Sequence, residues 1–168
     1  PISYNLLSVE DPSNVQCRTN VTGSVTVTVN PLPTASITGT VTVCQGAAQP
    51  QITFTGASGT APYTFTYTLN GGAPQQIVTT TGNSVTISVP TTTAGTFAYT
   101  LTNVKDASAS TCSQNQTGTA TVTVLSKPTG ATIAGSTAVC LNAPSPTITL
   151  TGAGGSGNYV FTYNINGG

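Results

Sequence analysis

No histidine occurs in this chain, and its carboxylates are Glu10, Asp11 and Asp106. A Ser or Cys nucleophile ordinarily needs a base beside it. Two carboxylates can do glycoside chemistry when they lie within about 10 Å of each other. Asp11 and Asp106 occupy the same position in two successive repeats, set out below, so a whole domain separates them. Glu10 and Asp11 are adjacent, and on a strand they would face opposite sides. The chain therefore reads as a non-enzyme without a catalytic residue or cofactor. Calcium needs several carboxylate oxygens, which one acid per repeat cannot supply. Zinc needs a CxxC pair or a Cys/His cluster, and the sequence has neither, so no metal site is expected. Lys105 could form an isopeptide bond with an Asn only beside a buried acid, and none is evident. Asp106 reads as a turn residue after a long strand.

The four cysteines carry the remaining chemistry. Each repeat has one early cysteine (Cys44, Cys140) and one late cysteine (Cys17, Cys112). Pairing Cys44 with Cys112 lets each repeat fold alone, and Cys17 and Cys140 would then pair outside this stretch or in neighbouring repeats. The competing arrangement joins one repeat's late cysteine to its predecessor's early cysteine and clasps domains end to end. Sandwich topology favours that clasp, because the first strand's end and the last hairpin lie at opposite poles, but the expectation is Cys44–Cys112, because that pairing leaves each repeat able to fold alone. Free buried thiols are the third reading. A disulfide would add about 2–4 kcal/mol, and widely spaced cysteines in a Thr-rich chain fit an oxidising, extracellular setting. Asn20-Val21-Thr22 and Asn115-Gln116-Thr117 match the N-x-T glycosylation pattern at equivalent positions, but read as polar hairpin residues.

Internal repetition organises the chain. Tyr4, Leu6, Val9, Asp11, Cys17, Gly23, Val27 and Val29 recur about 95 positions later as Tyr99, Leu101, Val104, Asp106, Cys112, Gly118, Val122 and Val124. Gly39, Cys44, Pro50, Ile52, Gly56, Tyr63, Phe65 and Tyr67 recur about 96 positions later as Gly135, Cys140, Pro146, Ile148, Gly152, Tyr159, Phe161 and Tyr163, and Asn70-Gly71-Gly72 recurs as Asn166-Gly167-Gly168. The reading is a C-terminal part of one repeat (1–30), a complete repeat (31–125) and an N-terminal part of a further one (126–168). Pro31, Pro33 and Pro128 mark the linkers, where a fixed φ stiffens the backbone. Incomplete repeats leave strand edges and half a core uncovered.

Within the complete repeat, apolar residues alternate with Thr at the period of a strand. Seven strands are expected: Ile37 to Val43 with a kink near Gly39, Ile52–Phe54, Tyr63–Leu69, Gln75–Thr80, Val85–Val89, Phe97–Val104 and Ala120–Val124. Gly71-Gly72 after Asn70 is a hairpin signal. Seven short strands in this length predict an all-β, immunoglobulin-like sandwich. With no Trp, Tyr63, Phe65, Tyr67, Phe97 and Tyr99 must supply the bulk of the core. Their strict alternation favours core over a sugar-stacking platform. Tyr99 has the phenol for a tyrosine corner.

Composition narrows the partners. Charged residues are 4 % of the chain with zero net charge, against 37 % hydrophobic. A neutral chain has no pull on phosphates, so nucleic acid is not expected. No apolar run approaches the ~18 residues of a membrane span, so no membrane insertion is expected. The regular β-branched and aromatic spacing is unlike disordered sequence.

Val29-Asn30-Pro31-Leu32-Pro33-Thr34, Thr42-Val43-Cys44-Gln45-Gly46, Thr93-Ala94-Gly95-Thr96-Phe97 and Gly118-Thr119-Ala120-Thr121-Val122-Thr123-Val124 resemble the repeats of very large surface adhesins of gliding bacteria. The resemblance implies strings of Ig-like domains with one early and one late Cys. It also implies secretion to the cell surface by the type IX route, and a role in adhesion or gliding motility. Leu125-Ser126-Lys127-Pro128 departs from the linker pattern. The leading expectation is a structural stalk whose partners are neighbouring repeats of the same chain. The alternatives are a self-assembling extracellular fibre, with other copies as partners, and a carbohydrate-binding module that takes surface polysaccharide.

Overall fold

The structure is a computed structural model that describes residues 1–12 and 17–165. The Asn166-Gly167-Gly168 turn signal lies outside the described residues. Among them every regular element is a strand and none is a helix. The first ribbon pairs β1 (Ile2–Asp11) with β2 (Cys17–Val27). The central unit holds β3 (Thr34–Thr38), β4 (Val41–Cys44), β5 (Gln51–Ala57), β6 (Thr64–Leu69), β7 (Gln75–Val78), β8 (Ser84–Ser88), β9 (Gly95–Lys105), β10 (Ser113–Asn115) and β11 (Thr119–Leu125). The last ribbon pairs β12 (Pro128–Ala134) with β13 (Thr149–Gly154).

Two sheets face each other in the central unit. One has the order β4-β11-β9-β6-β7 with β10 on β9, and the other β3-β5-β8. The inward-facing half of each alternating pattern fills the space between them: Ile52 and Phe54 from one sheet, and Phe65, Tyr67, Tyr99, Leu101, Val104 and Val122 from the other. Phe54 packs across the sheets on Phe65, with ring centroids 5.7 Å apart, and on Tyr67 at 5.2 Å. Phe97 is half-buried at the margin. Thr takes the other face, where β-branching suits the pleat and the hydroxyl stays hydrated.

Nine strands stand where seven were expected. The first one splits at Gly39, whose φ of 118° is left-handed territory. A Cβ there would collide with the Gln51 carbonyl. This glycine lets the chain leave β5, which β3 pairs antiparallel, and join β11, which β4 pairs in parallel. The other addition, β10, extends β9's pairing where β11 has not yet begun. The tyrosine-corner expectation for Tyr99 is corrected. Tyr99 packs its ring on Tyr67 at 6.0 Å, and the phenol that ties down a loop is Tyr63, whose Oη accepts from Gly59 N–H at 3.2 Å.

The sequence repeat reappears as repeated register. Ile2↔Val27, Tyr4↔Val25 and Glu10↔Arg18 in the first ribbon match Phe97↔Val122, Tyr99↔Ala120 and Lys105↔Ser113 in the centre. Ala131↔Gly152 and Ile133↔Leu150 in the last ribbon match Ala35↔Gly56 and Ile37↔Phe54. Gly135, with φ 119°, repeats the Gly39 conformation, and a Cβ there would likewise collide with a backbone carbonyl, that of Thr147.

Candidate functional site

The polar and reactive groups of the central unit collect at its two ends. The proximal pole is where the chain arrives from residue 30. Asp106 is buried there, 4 % exposed, at the foot of β9. Its carboxylate accepts from Thr60 N–H at 3.1 Å, Ser108 N–H at 3.3 Å and Ser108 Oγ–H at 2.8 Å. Its own N–H donates to the Cys112 carbonyl at 3.0 Å, and Ala107 N–H donates to the Thr60 carbonyl at 2.9 Å. Burial pushes the Asp106 carboxyl up. The Ser108 hydroxyl and the backbone N–H groups of Thr60, Ser108 and Cys112 outweigh it and hold the carboxyl below its ordinary range. Asp106 is thus the hub of the loop that carries Cys112. Expecting a plain turn residue missed this, although Asp106-Ala107-Ser108 is the spacing of an Asx-turn.

The arriving chain is fastened to the same loop at Ser110 and, beyond β10, to Gln116. Pro33 is fully buried, whereas Pro31 is exposed. Asn30 Nδ2 donates to Ser110 Oγ at 2.7 Å, and Ala35 N–H donates to Gln116 Oε1 at 3.1 Å. Thr28, Asn30, Thr60, Ala107, Ser108 and Ser110 line a shallow recess between the two segments.

At the distal pole the chain leaves β11 through Leu125, which stands in register with Cys44. Gln45 N–H donates to the Leu125 carbonyl at 2.8 Å, and Gly46 N–H to the Thr91 carbonyl at 2.8 Å. The buried Thr91 donates its hydroxyl to the Ala47 carbonyl at 2.6 Å, and Gln45 Nε2 reaches the Thr92 carbonyl at 2.7 Å. The Cys44 turn is therefore held from three sides while Cys44 itself is exposed. The same turn recurs at Cys140, whose carbonyl accepts from Ala143 N–H at 3.0 Å as that of Cys44 does from Ala47. Pro128 is exposed at the start of β12.

All four cysteines are free thiols in this structure: Cys17, Cys44 and Cys140 exposed, Cys112 half-buried. The Cys44–Cys112 pairing is not formed, and topology explains why. Cys44 lies level with the β9 start, because Leu125 pairs Cys44 and Val124 pairs Gly95. Cys112 lies beyond the other end of that 11-residue strand. At ~3.3 Å per residue the separation is about 35 Å, whereas a disulfide needs Cα atoms ~4.4–6.8 Å apart.

The remaining candidates are dispersed. Glu10 stands opposite Arg18 in the register of the first ribbon. Among the described residues no three of His, Cys, Asp and Glu are grouped to hold a metal ion. Lys105 is exposed, outside the dry setting that isopeptide formation needs. Tyr63, Phe65, Tyr67 and Tyr99 are all less than a tenth exposed; burial raises the Tyr67 and Tyr99 phenols, and for Tyr99 the Tyr67 phenol adds to it. Of the two sequons, Asn20 pairs Ser8 across the first ribbon, and Asn115 Oδ1 accepts from Asn103 Nδ2 at 3.1 Å.

No family model matches the chain, and no curated protein matches it. Among solved structures, an adhesin described as Ca2+-stabilised and as helping an Antarctic bacterium reach out and bind ice is similar at 17 % identity with a TM-score of 0.43. The similarity covers 75 % of this chain and 32 % of that one, so the chain spans less than a third of that protein's length.

Proposed function

We propose that the chain is a stretch of a surface-displayed spacer, built from tandem immunoglobulin-like sandwiches of about 95 residues joined pole to pole. Residues 1–30 are the tail of one unit, 31–125 a whole unit and 126–168 the front of another. One observation carries this reading. Equivalent residues are buried in the centre and bare in the ribbons: Tyr99, Leu101 and Val124 are 5 %, 1 % and 2 % exposed, while Tyr4, Leu6 and Val29 are 60 %, 58 % and 76 % exposed. Val122 is 0 % exposed and its equivalent Val27 47 %, and Tyr67 is 7 % exposed and its equivalent Tyr163 68 %. Apolar surface left in water costs about 25 cal/mol per Å2. The strand pairing within each ribbon already matches the centre, so the rest of the same repeat is the cover that fits these faces.

The function of such an array is mechanical. Fastened poles transmit pull from one unit to the next, and a neutral, Thr-covered surface presents little for a ligand to grip. The likeness of the linker and Cys motifs to gliding-bacterium adhesins supports export to the cell surface and a role in adhesion or gliding. The bare ribbons would equally accept strands from a second copy, which is what favours a self-assembling fibre as the second reading. Burial of the aromatic ladder speaks against a carbohydrate-binding module. Electron microscopy of the intact protein separates the two readings. Single, unbranched strings with one bead per repeat are expected. A fibre in which beads are shared between chains would overturn the spacer reading.

A further inference from the structure

No two of the four cysteines pair in this structure, yet it fixes where Cys44 and Cys112 stand relative to the ends of the central unit. The late cysteine, Cys112, lies at the proximal pole, in the loop that meets the arriving chain through the Asn30–Ser110 hydrogen bond of 2.7 Å. The early cysteine, Cys44, lies at the distal pole, in register with Leu125. Asn30 is the counterpart of Leu125 in the preceding repeat, since Val29 corresponds to Val124. The early cysteine of that repeat therefore belongs on the strand beside Asn30, at the ~4.8 Å spacing of paired strands. Asn30 already touches Ser110, two residues before Cys112. The two thiol-bearing segments meet at one junction.

We propose that consecutive repeats are joined by a disulfide between the early cysteine of one unit and the late cysteine of the unit that follows it. Cys112 then bonds the preceding unit's early cysteine, and Cys44 bonds the following unit's equivalent of Cys112. This rests on the tandem-repeat reading above. It excludes the two pairings that look closest in sequence. Cys112 and Cys140 stand at the proximal pole of one unit and the distal pole of the next, and Cys17 and Cys44 are related in the same way. It also explains why no two of the four cysteines pair within these residues: each one's partner belongs to a repeat part that lies outside them.

The bond forms by thiol–disulfide exchange. A thiolate at the exposed Cys44 attacks the disulfide of an oxidised dithiol oxidoreductase, releasing one of its sulfurs as a thiolate and leaving a mixed disulfide. The late cysteine's thiolate then attacks the Cys44 sulfur and releases the enzyme's second thiolate. Two protein thiols lose two electrons and two protons, and the enzyme's disulfide gains them as a dithiol. Once closed, the staple bridges the linker, so a pull on the array passes through a covalent bond as well as through residues 126–128.

The test uses the intact protein, prepared without reductant. It is alkylated with N-ethylmaleimide, digested with pepsin at acid pH to prevent exchange, and mapped by mass spectrometry. The flanks Val43-Cys44-Gln45 and Val139-Cys140-Leu141 differ, so the repeats are distinguishable. The expected map joins each early-cysteine peptide to the late-cysteine peptide of the next repeat. In the Cys44→Ser protein the number of alkylated thiols rises by one, at the following unit's late cysteine. A Cys44–Cys112 peptide, a Cys112–Cys140 peptide, or alkylation of all of them in the unmutated protein would overturn the proposal. A reading frame that does not continue in repeats of this period sinks the tandem reading itself. Continued repeats with the wrong map sink only the staple.

Discussion

Leu101 and Leu6 occupy equivalent positions of the 95-residue sequence recurrence but stand in two environments, and truncating each to Ala makes the comparison quantitative. Leu101 is 1 % exposed among Tyr67, Val104 and their neighbours in the core. Removing a buried leucine's outer carbons loses their transfer free energy and leaves a cavity, about 2–5 kcal/mol in all. A domain of this size holds roughly 5–15 kcal/mol, so Leu101→Ala removes a large share of its stability. With a urea slope of ~1–3 kcal/mol/M, the midpoint falls by about 0.7–5 M. Leu6 is 58 % exposed on a two-stranded ribbon. Leu6→Ala in the 168-residue chain should move the central unit's transition by no more than about 0.5 kcal/mol. In a longer protein carrying the whole preceding repeat, Leu6→Ala should cost as much as Leu101→Ala. With no Trp in the chain, tyrosine fluorescence and far-UV circular dichroism report the unfolding. Equal costs in the short chain, or no cost of Leu6→Ala in the long one, would refute the assignment of these residues to equivalent positions.

Further outcomes follow from particular contacts. A Cβ at Gly56 would lie 2.6 Å from the Tyr63 ring, so Gly56→Val should destabilise by about 1–3 kcal/mol in a thermal melt. Thr79 is 2 % exposed, and its hydroxyl accepts from Tyr63 N–H at 2.9 Å. Thr79→Val leaves that buried donor unpaired and should cost about 1–3 kcal/mol by urea titration. Asp106 is held below its ordinary carboxyl range by the Ser108 and backbone donors, which overcome its burial. Its stabilising contribution is full above the unfolded value of ~3.9 and is lost as pH falls through the lower, folded value. Urea midpoints should therefore decline on acidification below about pH 4, and Asp106→Asn should flatten that decline. An unchanged slope in the variant would reassign the acid sensitivity to other groups.

The alternation of Thr with Val, Ile, Phe and Tyr made the strands legible, because period two is a property of each segment alone. Gly39 was legible as a kink. Its consequence, a strand shared between two sheets, depends on the Gln51 carbonyl lying against it, a contact that residues far apart in sequence create. The recurrence of residue types was legible, and residues at equivalent positions pair in the same register in the ribbons and the centre. Tyr99 misled because its flanking residues resemble a corner. The loop that needs a tying phenol turned out to be the one before Tyr63, set by Gly59 and Asp106. The early and late cysteines were visible as a pattern. Sandwich topology already put them at opposite poles, and the parallel pairing of β4 with β11 fixes the separation at a full strand length. Asp106 was undervalued because one of its hydrogen-bond donors, Thr60 N–H, is distant in sequence.

Hydrogen–deuterium exchange on the intact protein tests the central claim most directly. If residues 1–30 complete a sandwich like the central one, the amides of Tyr4 to Val9 and of Val25 to Val27 should exchange as slowly as those of Tyr99 to Val104 and of Ala120 to Val122. Exchange of the first set at the rate of an isolated two-stranded ribbon, beside full protection of the second, would contradict it.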